Sequence, residues 1–303
     1  MPLHLPPVSR REFLRRSLVA GAGLLTIPAL RAADVRVDPN HWALLSDIHI
    51  AADTSLVRFD INMADHLRAA VAGVRALSSA PAGVLVNGDC AFNHGLTEDY
   101  AAVGDLLKPL SEAGLPLHLS MGNHDDRDVF WKTIKDARPA APPLESRQVS
   151  IVEAGYANWF MLDSLDVTNK TPGVLGEEQR AWLSKALDAR IDKPALVMVH
   201  HDPMFVEGKK TGLLDTAELM EILKPRRHVK ALIYGHTHTW RMTEVEGIHL
   251  VNLPAVAYPF NKAEVTGWVD CTLHPDGMSL EMHAHDTTHA AHGKISELKW
   301  RAA

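Results

Sequence analysis

The 303-residue sequence has few cysteines and no apolar run long enough to cross a lipid bilayer. Because only Cys90 and Cys271 are present, a disulfide framework is excluded, and neither belongs to a C-x-x-C pair. We interpret both as buried thiols. The apolar run at residues 18–30 has 13 residues, whereas a membrane-spanning helix needs about 20. The sequence therefore predicts no stable membrane span.

The sequence also lacks a long run of lysine and arginine. Lysine and arginine together number 31 against 37 acidic residues, which gives a net charge of −6. Without residues 1–33 these counts fall to 26 and 36, and the net charge becomes −10. Proteins that bind nucleic acid carry a basic surface, so this balance argues against a general nucleic-acid partner. A local positive site, such as bound metal ions, stays compatible with it.

The N-terminal residues have the pattern of a targeting segment. Residues 9–14 read Ser-Arg-Arg-Glu-Phe-Leu, the apolar run 18–30 follows, and small residues flank a possible cleavage point near residue 33. This pattern resembles a bacterial twin-arginine export signal, and a basic amphipathic or membrane-anchoring helix is the alternative. We expect residues 1–33 to be recognised by the twin-arginine export machinery. Residues 34–303 would then form one domain, periplasmic or secreted in a bacterium.

Buried strands and amphipathic helices alternate along residues 41–119, and the order β-α-β-α-β predicts a parallel sheet in an α/β fold. Strands are predicted at 41–45, 84–86, 115–119, 148–152, 158–162, 195–199, 229–234, 239–245, 248–252, 266–273 and 278–284. Helices are predicted at 58–78, 97–113, 176–189 and 216–223. A hairpin turn is expected at residues 275–277.

Residues that bind metals follow five of these strands directly. They are Asp47 and His49, Asp89, Asn123 with His124, His200, and His236 with His238. One histidine after a strand is common as a structural residue. The carboxyl ends of strands in an open α/β sheet meet at one edge, however, so folding would bring all five segments together.

The chemistry of these side chains supports one shared site. Imidazoles with carboxylates and an amide oxygen favour borderline transition metals over calcium. Seven ligands are too many for one tetrahedral zinc ion. They suit two ions about 3.5–4 Å apart, an arrangement that activates water and clamps the oxygens of an in-line displacement at phosphorus.

The motifs together resemble the full set of the calcineurin-like metallophosphoesterases, over about residues 40–255. They are Asp47-x-His49, Gly88-Asp89, Gly122-Asn123-His124-Asp125, His200 and Gly235-His236-x-His238. The resemblance implies a four-layer α/β/β/α sandwich of two mixed sheets flanked by helices. It also implies hydrolysis of phosphoesters with two divalent or trivalent ions of iron, manganese or zinc.

The resemblance further implies a role for each residue. Asp47, His49 and His238 would hold the first ion. Asn123, His200 and His236 would hold the second, and Asp89 would bridge the two. A metal-bridging hydroxide would attack phosphorus. Asn123 and His124 would contact the substrate, and His124, oriented by Asp125, would assist the leaving group.

A finer resemblance points to the class III cyclic-nucleotide and glycerophosphodiester phosphodiesterases. It is carried by residues 123–127 (Asn-His-Asp-Asp-Arg), residues 179–183 (Gln-Arg-Ala-Trp-Leu) and the pair His200-His201. Asp202 departs from the pattern, because a proline is expected after the paired histidines. We expect that difference to alter the loop and not the ligands, and we expect His201 to orient its neighbours.

A phosphodiesterase for a small phosphoester is the predicted function. A phosphomonoesterase, a non-catalytic metal-binding scaffold and a DNA nuclease of the same superfamily are the alternatives. The scaffold is disfavoured because the ligand set is complete, and the nuclease because the domain is acidic.

Overall fold

A computed structural model describes residues 37–134, 138, 141–205, 208 and 210–302 of the protein. The predicted export signal in residues 1–33 lies outside these residues. Within the described part of the chain, no helix is both long and apolar enough to span a membrane.

The described residues form fourteen strands and five helices. The strands are β1 (Asp38–Leu45), β2 (Val57–Arg58), β3 (Ile61–Asn62), β4 (Pro81–Asn87), β5 (Leu117–Ser120), β6 (Ser150–Glu153), β7 (Asn158–Met161), β8 (Ala195–Met198), β9 (Val229–Tyr234), β10 (Arg241–Val245), β11 (Ile248–Asn252), β12 (Gly267–His274), β13 (Gly277–Ala284) and β14 (Ile295–Lys299). The helices are α1 (Met63–Arg75), α2 (Thr97–Glu112), α3 (Arg127–Thr133), α4 (Gly176–Asp188) and α5 (Thr216–Leu223).

Two six-stranded mixed sheets contain most of these strands. The first sheet has the order β14-β13-β12-β1-β4-β5, in which β1, β4 and β5 are parallel. The second has the order β10-β11-β9-β8-β7-β6, in which β7, β8, β9 and β11 are parallel. The remaining strands, β2 and β3, form a small hairpin. Parallel strands place their carboxyl ends at one edge of a sheet, so each sheet presents several strand ends there.

The alternation of side chains along each strand creates the layers. In β1, Ala43 and Leu45 pack towards the helices of the first sheet, whereas Trp42 and Leu44 pack between the two sheets. In β8, Met198 also packs between the sheets, while Val197 faces the helices of the second sheet. Three apolar layers therefore separate four layers of secondary structure, and the predicted α/β/β/α sandwich is confirmed.

Three predictions of local structure need correction. The helix predicted at residues 58–78 begins only at Met63, because residues 57–62 form the β2–β3 hairpin and the Asn62 side chain caps the helix by accepting a hydrogen bond from the Asp65 amide. Helix α3 was not predicted; it is seven residues long and begins at Arg127, directly after the capping residue Asp126. Strand β14 was also missed. It lies at the edge of the first sheet, pairs with β13 alone and consists mostly of polar residues.

Candidate metal centre

The predicted ligands meet where the carboxyl ends of strands from both sheets converge. The structure forms three overlapping groups whose ligand atoms lie within 4.8 Å of one another. The groups are Asp47, His49 and His238; His49, Asp89 and His124; and Asp89, His200 and His236. Asn123 lines the same cavity as His49, Asp89 and His236. All seven predicted ligands therefore lie at one site.

Asp89 occupies the middle of the site. Its Oδ2 lies 3.6 Å from Nε2 of His49 and 3.3 Å from Nε2 of His200. On one side, Nε2 of His238 lies 3.1 Å from Nε2 of His49 and 3.3 Å from Oδ1 of Asp47. Two imidazole nitrogens this close repel unless a proton or a cation lies between them, so the spacing suits shared metal coordination. The central place of Asp89 agrees with a bridging carboxylate.

Backbone carbonyl groups orient the imidazole rings. The contacts are His49 Nδ1 with Phe92 O at 3.3 Å, His200 Nδ1 with Asn87 O at 2.8 Å, and His238 Nδ1 with Tyr258 O at 2.5 Å. A carbonyl accepts the proton on Nδ1, so Nε2 of each ring keeps its lone pair for a ligand bond. In His236 the tautomer is reversed, since Nε2 contacts Thr211 O at 2.8 Å and leaves Nδ1 for the site.

The backbone of the ligand segments is held in an unusual conformation. Five ligands have positive φ angles: Asp47 (52°), His49 (45°), Asp89 (47°), His236 (67°) and His238 (51°). Residues other than glycine seldom adopt this left-handed region, and such strain concentrates at functional sites. The conformation turns each side chain inwards directly after its strand.

Glycines precede three of the ligands because the chain segments approach too closely for a side chain. A Cβ on Gly122 would lie 2.1 Å from Oδ1 of Asp89, and one on Gly235 would lie 2.5 Å from Oδ2 of Asp47. A Cβ on Gly88 would lie 2.7 Å from Nδ1 of His200. The glycines therefore let the ligands from different strands reach a common point.

The buried Oδ1 of Asn123 has no hydrogen-bond partner among the described residues. A buried polar atom without a partner costs free energy of about 1–3 kcal/mol, so it needs an explanation. An amide oxygen is an ordinary metal ligand, and its neighbours at the site are carboxylates and imidazoles. The residues present therefore fit divalent metal ions.

The electrostatics of the site agree with this interpretation. Burial acts to raise the pKa of Asp47, but the neighbouring His238 and His200 outweigh it and lower the pKa to about 2. Burial lowers the pKa of His49 to about 3, so this ring is neutral. Burial also opposes charge on His200, but Asp89 and Asp47 raise its pKa to about 10. The proton on His200 supplies positive charge that a bound cation would replace.

His124 lies beside the ligands, as predicted. Its ring centroid is 5.2 Å from that of His49, and its amide donates a hydrogen bond of 2.9 Å to Oδ1 of Asp89. Its Nδ1 lies 3.1 Å from the Asn93 carbonyl oxygen. The other ring nitrogen, Nε2, is therefore the one that can contact a substrate.

The expectation that Asp125 orients the His124 ring was wrong. Its buried carboxylate accepts hydrogen bonds from the amides of Gly122 and Ala91, at 2.9 and 3.1 Å, and further ones from the Cys90 amide and the Tyr100 hydroxyl. Asp125 therefore joins the segment after β4 to the segment after β5. Burial and the charge of Asp89 raise its pKa to about 6, against these backbone hydrogen bonds.

His201 contacts its neighbours and lies outside the ligand groups, as expected, whereas the expected effect of Asp202 on the loop stays a prediction. Nδ1 of His201 lies 2.7 Å from Oγ of Ser164, and its ring lies 4.7 Å from that of His236. His201 belongs to none of the three ligand groups. The backbone carbonyl of Asp202 accepts a hydrogen bond of 2.9 Å from the Leu213 amide, and His200 keeps its place.

A cavity of about 290 Å³ opens on the ligands. Its wall includes residues that sequence reasoning did not single out: Thr171, Thr211, Thr237 and Phe260. Thr237 is the variable position of the Gly235-His236-x-His238 motif, and the other three lie in segments that carry no motif.

Comparison with known proteins identifies relatives of the whole domain. The family model described as calcineurin-like phosphoesterase matches residues 42–240. The 3′,5′-cyclic adenosine monophosphate phosphodiesterase CpdA of Escherichia coli K12 is 25% identical, over 87% of this chain and 91% of that protein. The glycerophosphodiester phosphodiesterase GpdQ of Enterobacter lignolyticus is 24% identical, over 82% and 92%.

Solved structures of similar fold include a dimetal phosphatase from Danio rerio. It has a TM-score of 0.68 at 15% identity and aligns over 87% of this chain and all of that one. A purple acid phosphatase from yellow lupin seeds has a TM-score of 0.58 at 15% identity, over 85% of this chain and 52% of that one. At these identities the likeness shows the fold alone.

Proposed function

Because the chain belongs to the calcineurin-like phosphoesterase family, we propose that it is a phosphodiesterase that uses two metal ions. The observation that carries the proposal is the position of Asp89, whose carboxylate lies within 4.8 Å of a ring nitrogen of His49 on one side and of His200 and His236 on the other. Asp47, His49 and His238 form what we call the first ligand group. Asn123, His200 and His236 form the second ligand group.

Each ligand group would hold one ion, and Asp89 would contact both. Bound ions would supply activated water and the positive charge that an in-line displacement at phosphorus requires. The chain's own residues do the rest. The glycines and left-handed residues fix the ligands, and the carbonyl contacts hold the imidazoles in the tautomer that binds metal.

His124 and Asn123 are the residues we expect to meet the phosphoester. Nδ1 of His124 donates to the carbonyl of Asn93, which leaves Nε2 for the substrate. With both ring nitrogens protonated, Nε2 would donate its proton to the departing oxygen. Asn123 lines the cavity next to His124, and its buried Oδ1 points to no protein partner. Both side chains therefore lie where the substrate would bind.

A diester substrate is favoured over a monoester by the named activities of the sequence relatives. CpdA and GpdQ are both described as phosphodiesterases and match most of the chain. Their identities of 25% and 24% support the reaction class. A phosphomonoesterase on the same site is the second candidate.

The first test compares bis(p-nitrophenyl) phosphate with p-nitrophenyl phosphate after reconstitution with manganese, iron or zinc. Faster cleavage of the diester is expected, and faster cleavage of the monoester would favour a phosphatase. Asn123→Ala and His236→Ala should abolish hydrolysis with the fold intact. Full activity in variants shown to have lost metal, or no turnover with both ions bound, would contradict the proposal and favour a scaffold.

We also propose that residues 1–33 direct export by the twin-arginine route to the periplasm or beyond. The pattern Ser9 to Leu14 and the apolar run that follows support this. Replacing Arg10 and Arg11 together with lysine should keep the protein in the cytoplasm of an expressing bacterium. Cell fractionation would show this, and unchanged export would contradict the proposal.

A further inference from the structure

Three aromatic side chains lie next to one another beside the first ligand group. The Phe260 ring stacks on His238 with a centroid distance of 4.0 Å and an angle of 19°. The Tyr258 ring stacks on His49 at 5.0 Å and 27°. Phe59 meets Tyr258 edge-on at 5.2 Å. We call Phe59, Tyr258 and Phe260 the aromatic wall.

The wall exposes aromatic surface that proteins usually bury. Phe260 is 61% exposed and Phe59 is 47% exposed, whereas Tyr258 is buried. One face of the Phe260 ring is covered by His238, and the ring lines the 290 Å³ cavity of the metal centre. Exposed aromatic surface at the mouth of a polar site is typical of a binding surface.

Phe59 has a backbone conformation that phenylalanine rarely adopts. Phe59 and Asp60 form the two-residue turn of the β2–β3 hairpin, with φ angles of 51° and 68°. Such turns favour Asn-Gly, and a bulky residue at positive φ is an outlier. Such strain concentrates at functional sites, and here it holds the Phe59 ring against Tyr258, which in turn stacks on His49.

A positive charge lies at the outer end of the wall. The guanidinium carbon of Arg58 lies 4.5 Å above the centroid of the Phe59 ring. The wall thus offers apolar ring faces near the ligands and a cation further out.

We propose that the aromatic wall is a subsite for a flat aromatic substituent of the phosphodiester, with Phe260 as its main contact. The proposal rests on the proposed function and names the substrate class of that same site. Ring faces stack on any planar aromatic group, whether a small aryl group or a nucleobase. Because His238 covers one face of the Phe260 ring, such a group would stack on the opposite, exposed face, at the edge of the cavity on the side of the first ligand group.

A purely structural role for Phe260 makes a different prediction. If the ring only supported His238, its removal would disturb the metal ligand and slow every substrate equally. A subsite predicts that only substrates with an aromatic group bind less well. Comparison of KM and kcat on two diesters therefore separates the two roles.

The experiment uses Phe260→Ala in the manganese-loaded protein, with bis(p-nitrophenyl) phosphate and glycerophosphoethanolamine as the two diesters. For the aromatic diester, KM should rise about tenfold with kcat nearly unchanged. KM for glycerophosphoethanolamine should change less than about twofold. Phe260→Trp should restore the aromatic KM. Tyr156→Ala is the matched control. Tyr156 is also exposed, but it lies just before the amino end of β7, whereas the metal centre lies at the carboxyl ends of the strands.

Binding without turnover tests the subsite separately from the activity. By calorimetry, phenyl phosphate should bind more tightly than methyl phosphate, and Phe260→Ala should abolish that difference. Adenosine 5′-monophosphate against ribose 5-phosphate tests whether a nucleobase is preferred. Equal affinities within each pair, or equal losses on both diesters, would overturn the proposal. An aromatic preference in a protein with no turnover would keep the subsite and contradict only the proposed function.

Discussion

The two ligand groups of the metal centre differ in what packs behind their imidazole rings. In the first group, His49 and His238 lie against the rings of Tyr258 and Phe260. In the second group, His200 and His236 lie against the ring of the buried His201. Both groups line the cavity, but the first is backed by aromatic rings. The other is backed by a hydrogen-bonded polar side chain.

This difference suggests a division of labour within one site. Apolar rings next to a cation exclude water and can receive an aromatic group. A hydrogen-bonded network fixes the direction of a ligand without offering a binding face. We therefore expect changes behind the first group to alter substrate preference. Changes behind the second group should alter metal affinity.

The largest effect is expected where the two groups meet. Asp89→Asn replaces the carboxylate that lies 3.6 Å from His49 and 3.3 Å from His200, so under the proposed arrangement each ion would lose a charged ligand. Hydrolysis should fall by more than about 100-fold, since the loss of an outer partner alone costs about 10–100-fold. Metal content should fall below two ions per chain, as measured by mass spectrometry.

Asn123→Ala is the matched control for Asp89→Asn, since it removes a ligand of the second group only. It should leave one ion bound. If Asp89→Asn also kept a full ion in the first group, the comparison would fail, because Asp89 would not be shared.

The next effect concerns the close approach at Gly122. In Gly122→Ala the new Cβ would lie 2.1 Å from Oδ1 of Asp89, so Asp89 or the segment after β5 must shift. Activity should fall about 10–100-fold, as for other displaced ligands. The unfolding temperature should fall as well, because the new Cβ would also lie 2.4 Å from the backbone nitrogen of Asp89, which cannot move aside as a flexible side chain can. Steady-state kinetics and circular dichroism measure the two quantities. Gly114→Ala is the control, because a Cβ there meets nothing within 4 Å, although its positive φ adds strain.

A smaller effect is expected behind the second group. Ser164→Ala removes the hydroxyl that lies 2.7 Å from Nδ1 of the buried His201. The unpaired nitrogen should cost about 1–3 kcal/mol of stability. Affinity for the second ion should fall about tenfold, and the first should be unaffected. Metal titration by calorimetry resolves the two ions. Ser146→Ala is the control, since that hydroxyl pairs with Glu178 at the surface. Equal weakening of both ions would show that the groups share their support.

The ligands were predictable from the sequence because the sheet determines where they lie. Asp47, Asp89 and His236 each follow a strand, and the ends of parallel strands meet at one edge whatever the loops do. The contacts of Asp125 were not predictable in this way. Its place next to His124 in sequence suggested a contact, but its side chain turns towards Gly122 and Ala91 instead.

The rest of the cavity depends on loops, whose course the sequence does not determine locally. Thr171, Thr211 and Phe260 reach the site only through tertiary packing. The same limit explains the missed β14, which owes its existence to pairing with β13 and not to its own apolar pattern.

The smallest effect is expected for a hydrogen bond far from both ligand groups. Its removal tests whether a change elsewhere in the first sheet alters metal binding or activity. Nε2 of His41 in β1 lies 2.5 Å from Oδ1 of Asp270 in β12, and this hydrogen bond raises the pKa of His41 above 6.5, despite burial. The folded state therefore holds the proton more tightly than the unfolded chain. The resulting stability is fully present below pH 6.5 and is lost as the pH rises through the raised pKa.

In Asp270→Asn, the drop in stability relative to the wild type should be greatest at low pH and shrink above neutrality, as urea unfolding at several pH values would show. Asp65→Asn, at an exposed pair with Arg68, should show no such trend. Because the pair packs behind neither group, metal content and kinetics should not change; a change in either would mean that the ligand groups respond to the sheet as a whole, and that their difference is not set locally by Phe260 and His201.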